Sequence, residues 1–101
     1  MGGFPGRLKM ARLMRRLHGV DLAAIAEVDG GTISAWESDA RWENASAAQM
    51  VRLAQALMVP VGWLIAKEGG SPVFDEADTE AVHRRVEKVR GKKPAQMRKR
   101  A

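Results

Sequence analysis

Residues 17–37, Leu-His-Gly-Val-Asp-Leu-Ala-Ala-Ile-Ala-Glu-Val-Asp-Gly-Gly-Thr-Ile-Ser-Ala-Trp-Glu, decide how this chain is read. Leu22, Ala23 and Ala26 recur at helical spacing between about Val20 and Glu27, and Ile33 and Trp36 do so in a second stretch that ends near Ser38. Gly19 breaks whatever helix precedes them. Asp29 stands where a helix N-cap belongs, its carboxylate placed to accept from the amides of Gly31 and Thr32. The stretch therefore predicts two short helices joined by a tight turn.

Upstream, Leu8, Leu13 and Leu17 predict a first helix from about Arg7 to Leu17, with these leucines inward and Arg7, Lys9, Arg15 and Arg16 outward. Residues 1–6 are rich in Gly and Pro and predict a flexible lead. Downstream, residues 39–45 predict a connecting loop. Ser46 and Gln49 match a capping box and open a fourth helix carrying Met50, Leu53, Ala54 and Leu57. Pro60 suits the first turn of a fifth, with Val61, Trp63, Leu64 and Ile65. Glu68-Gly-Gly-Ser-Pro72 predicts a linker and the end of the compact domain. Asp75 looks like the cap of a sixth helix reaching about Arg90, its acids first and its bases last, as the helix dipole favours. Ala81 or Val82, Val86 and Val89 give it a narrow apolar stripe, which packs either on the domain or on a second chain. The organisation expected is a lead at 1–6, a domain at 7–70, a linker and helix at 71–91 and a disordered basic tail at 92–101.

With 101 residues the chain suits one small domain, for which dimerisation adds burial. No cysteine is present, so disulfides, thiolate metal sites and cysteine nucleophiles are excluded. No apolar run approaches a membrane span and the N-terminus is not a signal peptide, so a soluble, cytoplasmic protein is expected. The net charge of +5 is unevenly placed. Residues 83–101 hold nine bases (Arg84, Arg85, Lys88, Arg90, Lys92, Lys93, Arg98, Lys99 and Arg100) against Glu87 alone, whereas residues 1–82 hold eight bases and eleven acids. Such a run either attracts phosphate or is a solvated end.

Two helices at this spacing form the layout of a helix-turn-helix, whose second helix enters the DNA major groove. Residues 7–70 go further and resemble the phage-repressor/Cro-type (XRE-like) helix-turn-helix family. The resemblance rests on Asp21-Leu-Ala-x-x-Ala26, Thr32-Ile-Ser-x-Trp-Glu37 and Leu53-Ala-x-Ala-Leu57 followed by Val61-x-Trp63-Leu64, all in register without a gap. It implies an all-α, five-helix repressor-like domain, here followed by a C-terminal amphipathic helix and a basic tail. It also implies a dimeric DNA-binding transcriptional regulator, a repressor of phage or bacterial type, with double-stranded DNA as partner. In the family an Arg of helix 1 pairs with the Glu that ends the recognition helix; those positions are Arg12 and Glu37. Losing one partner of such a pair, if buried, costs ~3–5 kcal/mol.

The chain also departs from the family. A phosphate-gripping Gln at the start of helix 2 is replaced by Gly19. Base-reading side chains at the start of helix 3 are replaced by Gly30 and Gly31, with Ala35 next on the outward face. Thr32, Ser34 and Ser38 are the polar groups left there, so direct readout should be sparse. Close approach of main-chain amides, shape readout, or retention of the motif as a protein-binding scaffold would each fit. Backbone contacts are expected from Arg7, Lys9, Arg15, Arg16 and Arg41 and from the tail. The alternative is a protein-interaction module such as an antitoxin or antirepressor, using Val82, Val86 and Val89.

Trp36 and Trp63 are expected in the core, while Trp42 either stacks on a partner or covers the core edge. His18 and His83 have no neighbours at ligand spacing, so no metal or cofactor is expected. No nucleophile motif or phosphate loop argues for an enzyme.

Overall fold

A computed structural model describes residues 3–38 and 42–91. Those residues are all-helical: α1 (Phe4–Met14), α2 (Gly19–Ala26), α3 (Gly30–Glu37), α4 (Ala47–Leu57), α5 (Val61–Ala66) and α6 (Glu76–Arg90), with a 3-10 turn at Trp42–Asn44. No strand occurs among the described residues.

α1 begins three residues earlier than the apolar spacing predicts. Pro5 fits the first turn, where its missing N–H costs nothing. Phe4 is buried, stacking on Trp42 at 5.2 Å between ring centroids and meeting Trp36 edge-on at 6.4 Å. Aromatic burial thus outweighs the helix penalty of Gly6, and residues 3–6 are not a flexible lead. Trp42 is the half-buried core edge. Register also corrects Leu13: Leu8, Ala11 and Arg15 take the inner face of α1, and Leu13 is 55% exposed. Leu17 is buried from beyond the end of the helix.

Local capping sets the other boundaries. The Asp21 carboxylate accepts from the His18 N–H at 3.1 Å, opening α2. Ser46 Oγ accepts from the Gln49 N–H at 3.0 Å and the Gln49 side chain accepts from the Ser46 N–H at 2.8 Å, completing the capping box of α4. Asp75 Oδ1 accepts from the Asp78 N–H at 2.8 Å and opens α6. At α3 the expected cap is only half realised. Asp29 is the N-cap residue, but its carboxylate makes no capping hydrogen bond; its backbone carbonyl accepts from Thr32 N–H at 3.0 Å.

One core unites all six helices. Leu8, Leu22, Ile33, Leu53, Leu57, Trp63 and Leu64 lie at its centre, and Val82 and Val86 of α6 belong to it. The compact body therefore extends through α6 rather than ending at the 68–72 linker. The stripe Val82, Val86 and Val89 packs on the chain's own α2 face, so it is not available as a partner surface.

An exposed pair ties the start of α6 to α1: Arg16 donates to Glu76 at 2.8 and 3.1 Å. That bond holds the Glu76 carboxyl below its ordinary 4.5. A depressed carboxylate stabilises the fold above its ordinary value, and the contribution drains away as pH falls through the lower, folded value. The stability difference between wild type and Glu76→Gln should accordingly be small at neutral pH and vanish in acid. Urea titrations at pH 7 and pH 3 check this; a difference that persists at pH 3 would assign the effect to something other than charge.

Candidate nucleic-acid interface

α2 packs on α3 across the 27–29 turn, and α1 and α4 brace the pair from behind. Ile33 and Trp36 bury the inner face of α3. Its outer face carries the residues expected there: Gly30, Gly31, Ser34 and Ser38 are exposed, and Thr32 and Ala35 are half-buried. The Ser38 hydroxyl donates back to the carbonyls of Ser34 and Ala35, at 3.0 and 3.1 Å, so its proton is committed within the helix.

Neither glycine at the start of α3 is required by the backbone. Both have ordinary helical conformation. A Cβ at Gly31 would meet nothing within 4 Å, and one at Gly30 would make only an ordinary 3.8 Å contact with Val20 Cγ1. Replacing Gly31 by Ala should raise stability by ~0.5–1 kcal/mol through helix propensity alone. Thermal unfolding checks this; a loss of stability would mean that something packs on that position.

Arg12 fixes the orientation of α3. Its guanidinium grips Glu37 through two parallel bonds, Nε–Oε2 at 2.6 Å and Nη2–Oε1 at 2.9 Å, and donates a third to the Leu17 carbonyl at 2.7 Å. The bond to Glu37 pushes the Arg12 guanidinium further above its ordinary range, so the charge is permanent in water. The two side chains keep 15% and 10% exposure, which lets water soften the loss of either. Glu37→Ala should therefore cost about 2–3 kcal/mol, the value of hydrogen bonds to a charged group, measured by urea unfolding. A loss below 1 kcal/mol would mean that Arg12 finds another acceptor.

The expected phosphate contacts of α1 divide sharply. Arg7 and Arg15 do not face outward: they are 7% and 0% exposed. Arg7 donates to the last carbonyls of α5, Leu64 O at 3.0 Å and Ile65 O at 2.7 Å. Arg15 donates to the end of α4, Leu57 O at 2.9 Å and Met58 O at 3.1 Å, and to Thr79 Oγ1 at 3.0 Å. Helix C-termini carry unpaired carbonyls and a partial negative charge, so they satisfy a guanidinium as a carboxylate would. Lys9 is exposed, and Arg16 is exposed but bound to Glu76.

The same use of arginine recurs at the end of α2. Arg52, which the sequence reading missed, donates to Ala26 O at 3.0 Å, and Arg85 donates to Ile25 O at 3.3 Å. Arg90 pairs with Asp21 at 2.8 Å. Arg84 and Lys88 remain on the exposed face of α6. Arg41, Lys92, Lys93, Arg98, Lys99 and Arg100 lie outside the described residues.

The described residues balance at eleven bases and eleven acids, so the whole +5 of the chain belongs to positions 1–2, 39–41 and 92–101. Among the described residues the outer face of α3 carries no cation, and the exposed acids Glu27 and Asp29 flank its start. Also among them, no His, Cys, Asp and Glu residues group as a metal site, and no helix is long and apolar enough to cross a membrane. No family model matches the chain, and neither does any curated protein or solved structure.

Proposed function

We propose that this chain is a DNA-binding transcriptional regulator of the repressor-like helix-turn-helix kind, acting as a homodimer with α3 in the major groove. The observation that carries the reading is the outer face of α3. It is open at Gly30, Gly31, Ser34 and Ser38, faced with small residues, and held by a two-point Arg12–Glu37 clamp. Glycines there let main-chain amides come close to phosphate, and Thr32, Ser34 and Ala35 suit thymine methyls and short hydrogen bonds. Affinity then comes from the bases at 92–100 rather than from α1, whose Arg7 and Arg15 are committed to helix ends.

One observation favours a second reading, a protein-docking module of the antitoxin or antirepressor type. Val20 is 56% exposed and lies against Gly30, with Asp29 and Glu27 nearby in the chain and, among the described residues, no cation on the outer face of α3. An apolar and acidic corner suits a basic protein partner better than phosphate.

Selection of bound sequences from random duplexes, with the full chain and with residues 1–91, separates the two. A shared enriched motif supports DNA reading through α3. Absence of any motif from either chain sinks it and leaves the docking module. Gly30→Gln and Gly31→Gln, placed together, should lower affinity for the enriched duplex while leaving the protein folded. Unchanged binding would show that the start of α3 does not touch DNA.

A further inference from the structure

Residues 47–66 make up α4, the turn after it and α5, and they contain a single charge, Arg52. Arg52 is committed to the end of α2, where its Nε donates to Ala26 O at 3.0 Å. Nine of these residues are exposed and none of the nine is charged, in a chain that is 29% charged. Val51, Met58, Val61 and Ile65 are among them, at 40%, 42%, 38% and 38% exposure. Val51, Gln55 and Met58 share one side of α4 and its C-cap, and Val61 and Ile65 share one side of α5. Two residues separate Met58 from Val61 and α4 packs on α5, so the two sides adjoin. The other large exposed apolar side chains, Leu13, Met14, Val20 and Val73, are dispersed over α1, α2 and the segment before α6. α1 holds both helices rigidly: Arg15 caps the end of α4 and Arg7 the end of α5. A partner would therefore meet a preformed surface, at little cost in ordering.

We infer that this charge-free face of α4 and α5 is where a second copy of the chain docks, about a two-fold axis. The inference rests on the homodimer of the reading above and names its surface. The stripe of α6, the other apolar candidate, is buried in the chain's own core. Electrostatics select the occupant. A two-fold contact sets a surface against itself, so any charge on it meets its own like. A face without exposed charge meets no such repulsion, and it offers nothing to phosphate or to a charged partner. The rest of the sequence supplies no apolar segment to cover it, since the fifteen residues outside the described ones carry seven charges. Size agrees with this. A specific dimer buries ~800 Å² per copy, apolar at the centre and polar at the rim. The nine exposed residues furnish such a centre, and Glu43, Asn44, Ser46, Lys67 and Glu68, all exposed, flank them in the chain.

Sedimentation equilibrium of the full chain without DNA, from micromolar to millimolar concentration, tests the assignment. Wild type should be dimeric over much of that range. Val51→Lys and Ile65→Lys should each weaken association by about tenfold or more, because every new charge meets its copy across the axis. Leu13→Lys, at a 55% exposed position of α1, should leave association unchanged. Circular dichroism checks that the variants fold. If a lysine unfolds its protein, Gln55→Cys supplies the only thiol in the chain and carries a nitroxide label. Its mobility should fall as concentration rises, whereas the same label on Leu13→Cys should not respond. A chain that stays monomeric overturns the inference and leaves the face to a different protein. A dimer that both lysines on α4 and α5 leave intact, or that Leu13→Lys alone disrupts, places the contact elsewhere and overturns it as well. Because association is read without DNA, a duplex selection that yields no motif would sink the DNA reading and leave this dimer standing.

Discussion

Replacing Arg15 by alanine should lower stability by about 3–5 kcal/mol, enough to leave much of the population unfolded at moderate temperature. This is the largest single-residue effect expected. The side chain is fully buried and holds three elements at once: the last carbonyls of α4, Thr79 in the first turn of α6, and the Phe74 ring, 4.8 Å from the guanidinium carbon. Alanine would leave Leu57 O, Met58 O and Thr79 Oγ1 without their donor, in a space that the long stem no longer fills. Each buried orphan costs ~1–3 kcal/mol, and the cavity adds to that. Arg15→Met keeps the stem and removes the donors, so it should lose less. Arg15→Lys should fall short of wild type, because one ammonium cannot reach two carbonyls and a hydroxyl in a planar fork. Calorimetry on the four proteins reads the order directly, at ~4–8 °C per kcal/mol for a chain of this size. Full stability in the methionine variant would mean that water satisfies the orphaned groups and that the donors do not lock α6.

Two truncations should behave in opposite ways. Stopping after residue 72 removes α6, uncovers the surface beneath Val82 and Val86, and takes Thr79 from Arg15. Residues 1–72 should therefore fail to melt cooperatively. Stopping after residue 91 leaves every described contact in place, so that protein should melt close to the full chain. Its DNA binding should change greatly. Five bases leave with residues 92–100, and each neutralised phosphate contributes about 0.9 to the slope of log affinity against log salt. If all five contact DNA the slope should fall by about 4–5, and affinity near 0.1 M salt by on the order of 10³-fold. Filter binding across a salt series, with circular dichroism as a control for folding, gives both results. An unchanged slope would remove residues 92–100 from the interface. Cooperative melting of residues 1–72 would make α6 an appendage rather than part of the core.

The starts of α4 and α6 were legible because their capping is local. Ser46 with Gln49 and Asp75 with Asp78 are three residues apart, and each pair works within its own turn. α3's outer face was legible for a similar reason, since the spacing of Ile33 and Trp36 dictates which residues point away. Arg7 and Arg15 were not. A cation on an amphipathic helix normally marks the solvated side, and nothing in Arg15 itself distinguishes it from Arg16. Apart from Thr79 Oγ1, their partners are backbone carbonyls 42 to 60 residues distant, at the ends of helices. Every residue type carries such a carbonyl, so it leaves no mark in the pattern of side chains.

By itself, then, the chain's sequence determined six helices, the caps of α4 and α6 and the open face of α3, because these follow from interactions within one or two turns. Tertiary structure alone decided that α6 belongs to the core, that Phe4 starts α1, and that four arginines donate to helix ends. Those outcomes depend on which helix end comes to lie beside which side chain. Packing sets that, and neither periodicity nor charge count along the chain contains it.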